Sequence, residues 1–283
     1  MTAFFESLDF QGLPALRLRA PDGGTVIVTD FGAHAVSWQP TPGHERLYLS
    51  DTAVLDGTRP IRGGIPVVFP QFGLLGSLPR HGFARTRVWE RADQQAGADY
   101  TQATWTLRSD PASLALWPAT FVAELTVCVG SRRLDVELYV ANEGDITFAF
   151  TGALHTYCAV GEVEQTILYG LGGTTYRDAL RASEEVEQRE NALRIDREVD
   201  RIYLATNPEL VLDTPVGATR IEQSGFEDTV VWNPWTGGTQ VFADLPPLGF
   251  RRFLCVESAA IAVPIEVLPG ESWSGRQSLI LEA

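Results

Sequence analysis

The sequence contains no lysine, so all 22 of its basic residues are arginine. This absence excludes Schiff-base chemistry and a Walker phosphate-binding loop, because both require the lysine amine. Cysteine is also scarce, and Cys128, Cys158 and Cys255 form no C-x-x-C pair. Neither a disulfide framework nor a structural zinc site is therefore predicted, and the three thiols are expected to be small buried side chains.

Long apolar runs and a basic N-terminal stretch are missing as well. No apolar segment approaches the roughly 18 residues that span a bilayer. Glu6 and Asp9 lie where a secretory signal would carry positive charge. We therefore expect a cytoplasmic protein with no membrane partner. The net charge of -14 and the pI near 4.7 argue against a nucleic-acid partner, which would require a basic face.

The sequence is rich in short segments with strand patterning. Arg133 to Val140 alternates apolar and polar residues with a period of two, which is typical of a half-buried strand. Similar runs, separated by Gly, Pro and Asp turns, occupy residues 16–20, 25–29, 104–107, 121–129, 147–160, 229–233, 252–256 and 277–281. Helical signal is confined to short stretches such as Asp178 to Glu190. These patterns predict an all-β sandwich or barrel, with residues 1–283 forming one domain.

Four segments place polar side chains among apolar residues or glycines. They are R-G-G-I-P-V-V-F-P-Q-F from Arg62, L-P-R-H-G-F-A-R from Leu78, A-L-H-T-Y around His155 and F-L-C-V-E ending at Glu257. His155 lies in an apolar run and needs a polar partner if it is buried. Taken alone, His155 is also compatible with a satisfied core histidine, and Glu257 with a solvated strand end.

The same motifs, in this order, resemble those of the glucose-6-phosphate 1-epimerase family, a branch of the aldose 1-epimerase superfamily. The resemblance runs from G-A-H-A-V-S-W at Gly32 through D-T-V-V-W-N-P-W at Asp228 to P-G-E-S-W at Pro269. It implies a large antiparallel β-sandwich of the galactose mutarotase type. It also implies interconversion of the α and β anomers of a hexose 6-phosphate, with glucose 6-phosphate as the expected substrate and no metal or cofactor.

The resemblance assigns roles to five residues, and the neighbouring Arg80 and His81 are further candidates. His155 corresponds to the general acid and Glu257 to the general base. The carboxylate is expected to favour the charged imidazole and so to keep the acid protonated near neutral pH. The residues expected to bind the substrate are Arg62, Arg80, His81, Arg85 and Asp200. Guanidinium groups bind phosphate bidentately, and a carboxylate accepts sugar hydroxyl protons.

Some of these assignments have alternatives. Arg80 replaces a glutamine that is common in the family, and Ser258 replaces a proline after the catalytic glutamate. The arginines could instead form surface salt bridges in this acidic protein, and His81 could order its loop rather than position the substrate. Trp232 and Trp235 are expected to pack in the core, although either could also contact a sugar face.

Three other functions compete with a phosphosugar mutarotase. A mutarotase for free aldoses would use His155 and Glu257 without an arginine cluster, and a non-catalytic carbohydrate-binding sandwich would need neither. A cupin-like metalloenzyme would use His34, His81, His155 and Glu257 as ligands. The arginine motifs favour the phosphosugar mutarotase, whose partner would be a small-molecule sugar phosphate. A monomer is expected.

Overall fold

The computed structural model describes residues 4–130, 132–207 and 209–282. Strands dominate these residues. They are β1 (Phe5–Phe10), β2 (Leu13–Arg19), β3 (Thr25–Thr29), β4 (His34–Gln39), β5 (Val67–Val68), β6 (Glu90–Ala96), β7 (Tyr100–Arg108), β8 (Phe121–Gly130), β9 (Arg133–Asn142), β10 (Phe148–Leu154), β11 (Tyr157–Ala159), β12 (Ile167–Tyr169), β13 (Thr175–Asp178), β14 (Glu184–Glu187), β15 (Ala192–Arg194), β16 (Val199–Tyr203), β17 (Glu209–Asp213), β18 (Thr219–Ser224), β19 (Asp228–Asn233), β20 (Phe253–Val267) and β21 (Ser272–Leu281).

Helices are few and short. The α-helices are α1 (Pro111–Leu116) and α2 (Trp235–Val241). Short 3-10 helices cover Ala84–Thr86, Val163–Gln165, Ala179–Arg181 and Gly249–Arg252. Among the described residues, no helix has the length and apolar character needed to cross a membrane.

The strands form three sheets. Sheet A has the order β1-β2-β3-β4. Sheet B has the order β14-β13-β16-β19-β20-β10-β5, with β11 also paired to β20, and sheet C has the order β15-β12-β17-β18-β21-β9-β8-β7-β6. The strand pairs within all three are antiparallel, which confirms the predicted all-β antiparallel sandwich.

The main core follows from alternation along the strands. In β9, Leu134, Val136, Leu138 and Val140 are at most 1% exposed, whereas the residues between them are only half buried. Burying such a side chain stabilises the fold by about 1.5–3 kcal/mol. Sheets B and C meet through these apolar faces and through aromatic contacts such as the edge-on pair formed by Phe150 and Trp273.

The predicted strand 147–160 is interrupted at its centre. β10 ends at Leu154 and β11 begins at Tyr157, although both pair with β20 in a common register. Leu154 lies opposite Ser258 and Tyr157 lies opposite Cys255. The same register places His155, in the interruption, opposite Glu257. A catalytic candidate thus occupies a break in an otherwise regular strand.

The predicted helical stretch from Asp178 to Glu190 is wrong. Asp178 ends β13, one 3-10 turn follows, and β14 returns antiparallel to β13, with Tyr176 opposite Val186. The segment is rich in good helix formers, but it has no apolar stripe with helical spacing. Pairing with β13 therefore overrides its weak helix propensity.

Two glycines explain the tight loops around the candidate site. Gly63 has φ +118°, and a Cβ there would lie 2.3 Å from the carbonyl oxygen of Tyr48. Gly82 has φ +69°, and a Cβ there would lie 2.2 Å from the carbonyl oxygen of Phe69. Each glycine lets the chain pass close to a neighbouring backbone, which fixes the adjacent Arg62 and His81.

Candidate active site

A cavity of about 520 Å³ lies among the strands of sheet B, residues 72–85 and helix α2. All seven residues that the sequence singled out line it. They are Arg62, Arg80, His81, Arg85, His155, Asp200 and Glu257. Its wall also includes Glu198 and the aromatic residues Phe72, Tyr157, Trp232 and Phe242. Residues from widely separated parts of the chain therefore meet in one site.

His155 and Glu257 are buried polar groups of the cavity wall. His155 is 7% exposed and Glu257 is 1% exposed, and Nδ1 of the imidazole lies 3.2 Å from Oε1 of the carboxyl group. The contact is close, but it lacks hydrogen-bond alignment, and neither His155 Nδ1 nor Glu257 Oε2 has a hydrogen-bond partner among the residues that the structure describes. Buried polar groups without partners are rare and are often found where catalysis occurs.

Burial disfavours the charged form of both groups. It lowers the pKa of His155 well below its ordinary value, and the positive charge of Arg85 lowers that pKa further. It also raises the pKa of Glu257 well above its ordinary value, with a further contribution from Asp200. The expectation that the carboxylate keeps the imidazole charged is therefore wrong for the unliganded site, because desolvation outweighs the attraction within the pair.

His81 both orders its loop and lines the cavity. Its backbone has φ +66°, and its Nδ1 accepts a hydrogen bond of 3.3 Å from the backbone N–H of Gly73. Burial lowers its pKa to about 3, and Arg85 and Arg80 contribute. A neutral ring that accepts at Nδ1 carries its proton on Nε2, so His81 is a hydrogen-bond donor. Its ring lies edge-on to His155, with centroids 5.6 Å apart.

Arg62 is already bound on several sides. Its Nε lies 3.2 Å from Asp244 Oδ1, and its Nη1 donates a 3.1 Å hydrogen bond to the hydroxyl of Tyr157. Its guanidinium group lies 4.5 Å from the ring centroid of Phe242. The salt-bridge alternative considered for the arginines therefore applies to Arg62 alone among the three.

Arg85 and Arg80 have no carboxylate within ion-pair distance in the described part of the chain. The Nη2 of Arg85 donates a 2.8 Å hydrogen bond to the carbonyl oxygen of Arg80, and its Nε has no partner. Burial lowers the pKa of Arg85 to about 10, and the neighbouring Arg62 and Arg80 contribute. A buried cation without a counter-charge is costly, and a bound anion would relieve that cost.

An aromatic wall holds the imidazole of His155. The ring of Tyr157 stacks on it with centroids 4.9 Å apart and an interplanar angle of 7°, and Trp232 meets it edge-on at 6.0 Å. The core packing predicted for both tryptophans fits Trp235, which packs on Phe250 at 5.2 Å. Trp232 also packs against the core, with its ring 5.8 Å from that of Phe253, and it lines the cavity as well.

Sequence reasoning did not identify several residues of the wall. Tyr157 ends the A-L-H-T-Y motif, so its position in the motif was a usable signal. Phe242 and Asp244 follow α2 and carried no signal, because only the tertiary fold brings them to Arg62. Asp200 lies on β16 opposite Trp232, and burial raises its pKa.

The four residues of the cupin-like alternative do not form a ligand set. His34 is 1% exposed, does not line the cavity, and has its Nε2 2.7 Å from the carbonyl oxygen of Gly63. His155, Glu257 and Cys255 do have ligand atoms within 4.8 Å of one another. However, Cys255 is fully buried outside the cavity lining, and burial raises the pKa of its thiol well above the ordinary value.

A model of the aldose 1-epimerase family matches residues 14–279. The chain belongs to the aldose 1-epimerase family. Within this family it is 33% identical over 278 residues to a relative from Cenchrus ciliaris, which covers 95% of this chain and 84% of the relative. It is 30% identical over 261 residues to a relative from Escherichia coli strain K12, which covers 87% of this chain and 86% of the relative. Both relatives carry the provisional name glucose-6-phosphate 1-epimerase.

Solved structures of the same family agree with the fold. The crystal structure of YeaD from Salmonella typhimurium, provisionally named a mutarotase, matches with a TM-score of 0.91 and 25% identity. The match covers 99% of this chain and 94% of YeaD. The family membership predicted from the motifs is thus confirmed.

Proposed function

We propose that this aldose 1-epimerase interconverts the α and β anomers of a hexose 6-phosphate, with glucose 6-phosphate as the expected substrate. The single observation that carries the proposal is one cavity holding both a close His155–Glu257 pair and an arginine without a counter-charge, Arg85. The names of the two relatives support the same substrate class.

The chemistry requires one proton donor and one proton acceptor. Ring opening removes the proton of the anomeric hydroxyl and protonates the ring oxygen. The open aldehyde then rotates about the C1–C2 bond and recloses on its other face. We assign these two transfers to Glu257 and His155, each contributing on the order of 10² to 10⁴ in rate.

The remaining residues would hold the substrate. Arg85 and Arg80 would bind the phosphate, and Arg62 would contribute through its guanidinium group. Asp200 would accept a hydrogen bond from a sugar hydroxyl, and His81 would donate a hydrogen bond from Nε2. We further propose a monomer that acts in the cytoplasm, which sedimentation analysis and cell fractionation would test.

A mutarotase for free aldoses is the second candidate, because the His155–Glu257 pair would serve it equally. Two-dimensional exchange NMR distinguishes the two candidates directly. Anomer exchange is measured on glucose, galactose and mannose 6-phosphates and on the three free sugars. Faster exchange of a phosphosugar supports the proposal, whereas faster exchange of a free hexose supports the second candidate. Binding without exchange would indicate a carbohydrate-binding sandwich instead.

A further inference from the structure

Gln277 lies directly behind the His155–Glu257 pair and outside the lining of the cavity. It belongs to β21 of sheet C, is 1% exposed, and extends its side chain across the core to sheet B. Its Nε2 donates hydrogen bonds to the carbonyl oxygen of Val256 at 3.1 Å and to Ser258 Oγ at 3.0 Å. Its Oε1 accepts a short hydrogen bond from Thr156 Oγ1.

Each partner of this amide is adjacent in sequence to one member of the pair. Thr156 follows His155, while Val256 and Ser258 flank Glu257. Because successive side chains of a strand point to opposite faces, Ser258 faces the core where Gln277 lies and Glu257 faces the cavity. One buried side chain therefore connects the backbone on both sides of the site.

The connection matters because the strand ladder is interrupted here. β10 ends before His155 and β11 begins after Thr156, so ladder pairing with β20 fixes neither of these two residues, whereas Glu257 pairs with Val230 of β19. A backbone hydrogen bond from the N–H of Val256 to the carbonyl oxygen of Thr156, at 3.1 Å, joins this break to β20. The amide of Gln277 adds three further bonds and satisfies both donor and acceptor requirements.

We propose that Gln277 is a positioning residue that holds His155 and Glu257 at the separation needed for proton transfer. The inference rests on the proposed function, since it takes these two residues as the acid-base pair. Gln277 does not line the cavity, so its loss should reduce kcat and leave substrate binding nearly unchanged.

The test compares Gln277→Leu with Asn142→Leu. Asn142 is also 1% exposed and also makes three hydrogen bonds, donating to the carbonyl oxygens of Ile146 and Val267 and accepting from the N–H of Gly144. Its contact with β20 is at Val267, at the opposite end of the strand from Glu257. The two variants thus remove matched buried amides, one behind the site and one away from it.

Exchange NMR on glucose 6-phosphate should give a kcat for Gln277→Leu lower by about tenfold or more, with KM changed by less than about twofold, because small misplacements of catalytic groups are costly. The pH limits of activity should also move, since the separation of the pair sets the coupling of their proton affinities. Asn142→Leu should keep the wild-type kcat and pH limits. Thr156→Val removes only one bond and should show a smaller change in the same direction, which provides a second measurement if Gln277→Leu does not fold.

Several results would overturn the inference. Equal kcat for Gln277→Leu and Asn142→Leu, or for Thr156→Val and the wild type, would mean that the amide is only structural. A fall in kcat/KM arising from KM alone would mean that it shapes the binding cavity instead. A wild-type protein without exchange activity would overturn the proposed function together with this inference. An active wild type with an unaffected Gln277→Leu would overturn this inference alone.

Discussion

His155, in the break between β10 and β11, lies opposite Glu257 of β20, with Nδ1 and Oε1 3.2 Å apart. Burial lowers the pKa of the imidazole and raises the pKa of the carboxyl group, so the site favours a neutral imidazole beside a neutral carboxyl group. Ring opening and ring closure move protons in opposite directions. The pair can serve both steps, because each of its members can hold or release a proton.

Removing either member of the pair should abolish most of the activity. His155→Ala and Glu257→Gln are each expected to lower kcat by at least about a hundredfold, because each removes one proton-transfer partner. Anomer-exchange NMR on glucose 6-phosphate provides the measurement. His44→Gln, at an exposed histidine distant in sequence from every cavity residue, serves as the control and should retain full activity. Rates within a few-fold of wild type in both site variants would contradict the assignment.

Activity should require that the pair holds one proton, and the pKa shifts set the direction of its pH limits. The acid limit should lie below the ordinary imidazole range, because the pKa of His155 is lowered and the pair resists a second proton. The alkaline limit should lie above the ordinary carboxyl range, because the pKa of Glu257 is raised. A rate profile on glucose 6-phosphate checks both limits. An acid limit at or above about pH 6.5, the ordinary imidazole pKa, would contradict this account of the pair.

Local sequence patterns predicted most of the sheet structure. The alternation in Arg133 to Val140 depends only on which face is buried, and the structure has this strand as predicted. The break at His155 could not be predicted, because an unbroken apolar run has the same pattern with or without it. The helix predicted for Asp178 to Glu190 is wrong because the secondary structure of this stretch depends on pairing with β13, which local sequence patterns do not show.

The candidate site could be predicted only in part from the sequence. Motif resemblance supplied five of the seven predicted residues, Arg80 and His81 lie within one of the same motifs, and the fold brings all seven to one cavity. The protonation states of His155 and Glu257 could not be predicted, since desolvation depends on the neighbours that the fold supplies. The restraint of Arg62 by Asp244 is likewise a tertiary feature. The role proposed for Gln277 could not be predicted, because it depends on the side chain reaching from sheet C to sheet B.

Buried neutral histidine should make the protein less stable in acid. Burial lowers the pKa of His34 to about 4 from an unfolded value of 6.5. Its contribution is therefore fully present above about pH 6.5 and is lost as the pH falls toward 4, at up to about 1.4 kcal/mol per pH unit. His34→Gln retains an N–H donor toward the carbonyl oxygen of Gly63 but cannot titrate.

Urea unfolding at pH 7 and pH 5 measures this effect. The loss of stability between the two values should be smaller for His34→Gln than for wild type, whereas His44→Gln should match wild type. The same loss in all three proteins would show that His34 titrates normally in the folded state. If the chain is one domain, as the sequence predicts, each unfolding curve should have a single transition.

Chelation should leave the activity intact, because the proposed proton donor and acceptor are both side chains. Exhaustive dialysis against EDTA is expected to leave the exchange rate of glucose 6-phosphate unchanged. Loss of activity that a divalent metal restores would instead favour metal-assisted chemistry, with His155, Cys255 and Glu257 as the ligands to examine.

The arginines separate the phosphosugar reading from the free-sugar reading. In a protein of net charge -14, a hexose phosphate approaches against the overall field, so a local positive cluster must reverse it. Arg85 has no counter-charge, whereas Arg62 is held by Asp244 and Tyr157. Arg85→Ala should therefore lower kcat/KM for glucose 6-phosphate by about tenfold to a hundredfold, since hydrogen bonds to charged groups contribute roughly 1.5 to 3 kcal/mol each. Free glucose should lose much less.

Arg62→Ala should behave differently, because the ring of Tyr157 connects Arg62 to His155. It should impair the conversion of both substrates, through kcat for the free sugar and through kcat and KM for the phosphosugar.

Arg85→Lys should retain part of the activity that Arg85→Ala loses, but only part, because a point charge cannot reproduce the planar guanidinium. Added salt should raise KM for the phosphosugar more than for the free sugar, as screening weakens the attraction. Parallel kinetics on both substrates test the role of Arg85. If Arg85→Ala impairs both substrates equally, Arg85 does not bind phosphate. A wild-type protein that prefers free glucose is a general aldose mutarotase.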